Sequence, residues 1–175
     1  MDTKGQSYSV FKLLIAAIVA SAILLILLQV LGIAIFDFEQ KPNAIASSQV
    51  NNNLNNIGDP TLTKMVTFQP QDSLNARTIA GKSNGLAEDQ ICVFKSTSTP
   101  NHDSFAGTDG QVLVYNGTLA QSLKLLVLCD TYDKISETIE TYKYGDKYGV
   151  DSSLGECKEP SSETSKYCIV ATVTE

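Results

Sequence analysis

Four cysteines, one histidine and a few clustered carboxylates are the residues of this 175-residue chain whose types could do chemistry. The cysteines are Cys92, Cys129, Cys157 and Cys168. An even count in an exported domain predicts two disulfides, and four cysteines allow three pairings. Cys157 and Cys168 flank a short polar loop, and Cys92 and Cys129 lie in or at the end of apolar strands. This favours the pairs 92–129 and 157–168. A zinc site needs paired spacing such as C-x2-C, and no such pair exists here, so neither a structural metal nor a C-x-x-C redox centre is expected. Free, buried cysteines are the alternative for a reducing compartment.

His102 is the single histidine, in the order His102-Asp103-Ser104. Those are the letters of a hydrolase triad, but triad members meet in space rather than as consecutive residues. A solvated loop histidine is expected, with no catalytic residue and no enzyme. Glu88-Asp89 and the acidic stretch Glu156–Glu163 lack the spacing of a calcium loop, and no phosphate-binding glycine loop is present. No cofactor is expected. Asn116-Gly117-Thr118 is a sequon, so Asn116 is a glycosylation candidate; Asn-Gly equally favours a tight turn between two strands. Tyr132, Tyr142, Tyr144, Tyr148 and Tyr167 crowd the C-terminal third. They either cover the core or, if exposed together, stack on sugars or pack between subunits.

The elements that must position these residues fall into two kinds. From 61 to 175 the chain shows short β-branched and aromatic runs with turn-rich borders, at 62–68, 90–95, 111–115, 123–129 and 167–173. Helical spacing predicts two helices, over 73–82 and from Asp133 to about Tyr142. The expectation is a small α+β head: a mostly antiparallel sheet with about two helices on one face, stabilised by disulfides. Residues 37–60 read as a polar helix extension or stalk, with Pro42 breaking the preceding helix and five Asn between Asn51 and Asn56.

Ahead of the head lies an apolar rod. Between Leu13 and Phe36, 21 of 24 residues are apolar and none is charged. That length predicts a membrane-crossing helix. Lys4 and Lys12 precede it and Asp37 and Glu39 follow it, which predicts a single pass with the N-terminus inside and the head outside. Ala16 and Ala20, and Ala17 and Ser21, are spaced i,i+4 and allow close helix packing. A cleaved secretory signal has a shorter apolar stretch and a small-residue cleavage site. The net charge of −6 argues against a nucleic-acid partner.

The leader is Met-Asp-Thr-Lys-Gly, followed by Gln6 and a polar stretch that runs straight into the rod. This resembles the class III signal peptide of archaeal type IV pilin-like proteins. The resemblance implies that a prepilin peptidase recognises Lys4 and Gly5 and cuts before Gln6. Leu14 matches the family's leucine; Tyr8 and Val10 depart from the Ser and Glu often found there. It implies a "lollipop": leader 1–5, a membrane and then filament-core helix 6–36, a stalk 37–60, and an extracellular head 61–175. The implied function is a structural subunit, major or minor, of a surface filament, packed against copies of itself or other pilin subunits, with a head for adhesion or partner contacts. The alternative is a permanently membrane-anchored surface protein with an extracellular binding module.

Overall fold

A computed structural model of the chain describes residues 11–23, 41–162 and 165–174. The chain divides into two compact units, Met1–Glu39 and Gln40–Glu175. In the first, residues 11–23 form helix α1, every one of them exposed. Ala16, Ala17, Ala20 and Ser21 lie on this helix, where the Ser21 hydroxyl donates back to the carbonyls of Ala17 and Ile18, 2.9 Å from each. Thirteen residues at the helical rise reach about 20 Å, short of the ~30 Å of a hydrocarbon core. Among the described residues, no helix is long and apolar enough to cross a membrane. This overturns the expected long N-terminal helix and the single-pass localisation built on it. Residues 24–40, over which that helix was expected to continue, lie outside the described residues, as do Lys4, Gly5 and Gln6.

The second unit begins with α2 (Pro42–Leu54). Pro42 stands in the first turn, where its missing N–H costs nothing. Residues 42–54, expected as a polar helix extension or stalk, form a helix whose inner face is buried in the folded unit. Pro42, Ala46, Ser47, Val50 and Asn53 face inward. The asparagines, poor helix formers on their own, act as backbone clamps. Asn43 donates to Ser73 O (2.6 Å) and accepts from Asn75 N (2.8 Å). Asn51 donates to Lys82 O (3.1 Å) and accepts from Asn84 N (2.9 Å). Asn53 donates to Val127 O (2.6 Å) and accepts from the Thr61 hydroxyl (3.1 Å).

After α2 come β1 (Thr61–Leu62), β2 (Val66–Phe68), β3 (Ser73–Asn75), α3 (Ala76–Lys82), β4 (Ile91–Lys95), β5 (Phe105–Thr108), β6 (Val112–Tyr115), β7 (Gln121–Thr131), α4 (Tyr132–Thr141), α5 (Tyr144–Tyr148) and β8 (Lys166–Val173). The main sheet runs β1-β7-β8-β4, with β2 also on β7; β3-β6-β5 form a second, three-stranded sheet. β4 and β8 pair in parallel, Val93 opposite Val170, whereas β7 and β8 are antiparallel. The main sheet is therefore mixed: antiparallel at β1–β7, β2–β7 and β7–β8, as mostly expected, and parallel at β4–β8.

Side-chain alternation sorts the main sheet into two cores. Leu125, Val127, Cys129, Cys168 and Val170 join α2, α3 and the small sheet through Val50, Ile79, Leu113 and Phe105. Leu126, Leu128, Ile169 and Ala171 join α4 and α5 through Ile135, Ile139 and Tyr148. Helices therefore cover both faces, not the one expected. This is why β8 is buried from Tyr167 to Val173 and β4 from Ile91 to Phe94, as strands covered on both sides must be.

The same alternation decides the disulfides. They are Cys92–Cys157 and Cys129–Cys168, not 92–129 and 157–168. Cys92 points into the α4/α5 core and Cys129 into the α2/α3 core, with β8 lying between their strands, so they cannot meet. Cys129 instead lies directly opposite Cys168. Its carbonyl accepts from Gly58 N on the side away from β8, which makes 129/168 a non-hydrogen-bonded pair, the kind with the closest side chains. The bridges cross in sequence and span 65 and 39 residues. Each restricts the unfolded chain by about 4 kcal/mol in the chain-entropy account, without being additive.

Candidate functional site

A concavity lies where the end of β4 meets the two long loops, 96–104 and 149–162. A pocket of roughly 180 Å³ is lined by Phe94, Lys95, Thr97, His102, Gly149 and Asp151, closed by Leu154–Cys157. A wider hollow of roughly 680 Å³ shares Lys95, Gly155, Glu156 and Cys157, and adds Ala106, Gly107, Asp109 and Lys158.

Each wall has a local cause. Lys95 ends β4 and turns its ammonium onto the carbonyls of His102 (3.2 Å) and Phe105 (2.8 Å), pinning the first loop. Thr99 holds the same loop to Thr172 O at 2.8 Å. The two loops are stitched together by the Ser98 hydroxyl, which donates to Tyr148 O at 2.6 Å, and by Thr97 N, which donates to Gly149 O at 3.1 Å. Gly149 has φ +63°, and a Cβ there would run into Thr97 and lie 2.9 Å from Ser98 N, so the crossing requires glycine. The second loop is tied down by buried Leu154 and by the Cys92–Cys157 bridge. Gly110, φ +67°, packs against that bridge: a Cβ would lie 2.6 Å from Cys92 Sγ and 2.7 Å from Glu156 O.

Charge in the cleft is mixed: Lys95 and Lys158 against Asp109, Asp151 and Glu156. The Asp151 carboxyl is held below its usual range, chiefly by the Ser153 backbone N–H (2.8 Å) and then by the Ser153 hydroxyl. His102 Nδ1 lies 3.8 Å from an Asp103 oxygen, both side chains well exposed. His102, Asp103 and Ser104 share one 3-10 turn. Consecutive positions in one turn do not converge into a nucleophile–base–acid relay. Among the described residues, no group of three His, Cys, Asp or Glu could hold a metal ion.

The tyrosines divide. Tyr148 and Tyr167 are buried, Tyr167 donating to Lys158 O at 2.8 Å, and burial pushes its phenol up. Tyr144 stacks on Tyr142 with centroids 5.8 Å apart and leans on Tyr148 at 5.3 Å; its phenol is also raised, first by burial. Only Tyr142 of the five is largely exposed, so they cover the core rather than form a broad aromatic platform.

Asn116 is exposed and follows β6, its N–H donating to Ser104 O at 2.7 Å. The expected hairpin turn is absent, because β6 and β7 belong to different sheets. Gly117 instead makes room for the Tyr115 ring, which a Cβ would overlap. The sequence signalled the sequon and the cysteines, but not the cleft, whose walls come from segments about fifty residues apart. Gly110 and Gly149 were the available hints. No protein-family model, curated protein or solved structure matches this chain.

Proposed function

We propose that the protein is a structural subunit of a type IV pilus-like surface filament, assembled through its N-terminal segment, with the unit from Gln40 onward as its outward-facing head. The observation that carries this is α1. Phe11, Leu13, Leu14, Ile15, Ile18, Val19 and Ile23 are apolar and each is about half exposed or more. A helix apolar on all sides requires a covering. Equivalent helices of neighbouring copies supply one, with Ala16/Ala20 and Ala17/Ser21 allowing close approach. The leader supports the same reading, since Lys4-Gly5 before Gln6 is what a prepilin peptidase would process. Two disulfides suit a head in an oxidising compartment. Asn116, exposed on the head, is available for a glycan.

The test is the mature N-terminus. Mass spectrometry of sheared surface material is expected to find a chain beginning at Gln6, and deletion of the prepilin peptidase should abolish it. A surface chain that keeps residues 1–5 would sink the proposal.

A further inference from the structure

We propose that Cys157 is a site of thiol–disulfide exchange: the Cys92–Cys157 bridge is opened from the cleft by small aliphatic thiols or a dithiol oxidoreductase while the fold stays intact, and Cys129–Cys168 is not. This rests on the folded unit alone and is independent of filament assembly.

The two bridges sit in different surroundings. Cys129 and Cys168 are on the order of 1 % exposed or less and join the two central strands β7 and β8, with α2 packed over them. Cys129 Sγ lies 4.0 Å from Val50 O, beneath the helix. No thiolate reaches those sulfurs without separating helix from sheet. Cys157, by contrast, is partly exposed and borders both hollows of the cleft. It belongs to a loop without helix or strand from 149 to 162. Its partner Cys92 is fully buried in β4, behind it.

Exchange requires the attacking sulfur to approach in line with the bond that breaks. With Cys92 on the inner side, that line runs outward through Cys157, toward solvent. Attack therefore falls on Cys157 Sγ and not on Cys92. The thiolate forms a new S–S bond to Cys157 while the Cys92–Cys157 bond breaks, and Cys92 leaves with the electron pair. In its apolar pocket Cys92 takes up a proton and becomes a thiol. A second thiolate then attacks the external sulfur of the mixed disulfide, freeing Cys157. Two external thiols are oxidised to one disulfide as the protein bridge is reduced. The opened loop keeps its other ties: Leu154 in the core, the Ser136 hydroxyl on Ser152 O (2.7 Å) and Tyr167 on Lys158 O (2.8 Å). The change is therefore confined to the cleft wall.

The experiment treats the oxidised full-length protein with reduced glutathione without denaturant. The reaction is quenched with acid, free thiols are blocked with N-ethylmaleimide, and peptides are mapped by mass spectrometry. The expected result is glutathione on Cys157, a free thiol on Cys92, and opening of Cys129–Cys168 slower by about tenfold or more. A second arm uses Leu154→Ala, which loosens the loop and should speed opening of 92–157 alone. The proposal is overturned by glutathione on Cys92, by equal or faster opening of 129–168, by no exchange at either bridge, or by Leu154→Ala speeding both alike.

Discussion

Asn53 shows how much a single polar side chain can hold here. It is about 1 % exposed, and its amide joins α2 to β7 and to β1 at once. Asn53→Ala leaves Val127 O and the Thr61 hydroxyl without this partner and opens a small void. The expected loss is about 2–3 kcal/mol, read as a lower urea midpoint with unchanged slope. Asn52→Ala, one position away on the exposed side of the same helix, should change stability by less than about 0.5 kcal/mol. Asp151 makes a prediction in pH. The Ser153 N–H and hydroxyl hold its folded-state pKa below the ordinary aspartate value of 3.8, so its ionised form is favoured by folding. That contribution is present above pH 3.8 and is lost as pH falls through the folded value. Asp151→Asn should therefore lower the urea midpoint slightly at neutral pH, and the difference should vanish in strong acid. Solvent exposure keeps the effect small.

At the scale of elements, the β5–β6 hairpin and the cysteine loop depend on one another. Asp109 and Gly110 both have positive φ, and only the glycine lets the turn press against the 92–157 bridge. Gly110→Ala brings both backbone strain and a clash with Cys92 Sγ and Glu156 O. The expected cost is roughly 2–4 kcal/mol by urea unfolding, with incomplete bridging seen as alkylatable Cys92 and Cys157. Most strands in the second half were legible, because β7 and β8 are long runs of β-branched and aliphatic residues. α4 was legible too, from Ile135 and Ile139, both buried. α2 was not. Its inward face mixes Ala46 and Val50 with Ser47 and Asn53, so the hydrophobic period is blurred, and what holds it is hydrogen bonds to segments distant in sequence. β3 and β5 are three and four residues long and take their identity from pairing with β6, which no local pattern encodes.

For the whole molecule, the division at Gln40 makes a direct prediction. A chain beginning at Gln40 should unfold cooperatively in urea. One beginning at Thr61, the expected edge of the head, should not, because it loses Ala46, Val50 and Asn53 from the α2/α3 core. Circular dichroism of the two truncations under oxidising conditions checks this. The sequence by itself determined what is local or compositional: an even set of cysteines, an apolar N-terminal segment, the β-rich second half and the exposed sequon asparagine. Only the tertiary structure decided how the sheet is ordered, which faces it buries, which cysteines meet, and that the inner face of α2 packs into the core. The physical reason is the same in each case. Strand neighbours, side-chain faces and amide clamps are set by residues tens of positions apart. A one-residue shift in register would have turned Cys129 away from the core it shares with Cys168.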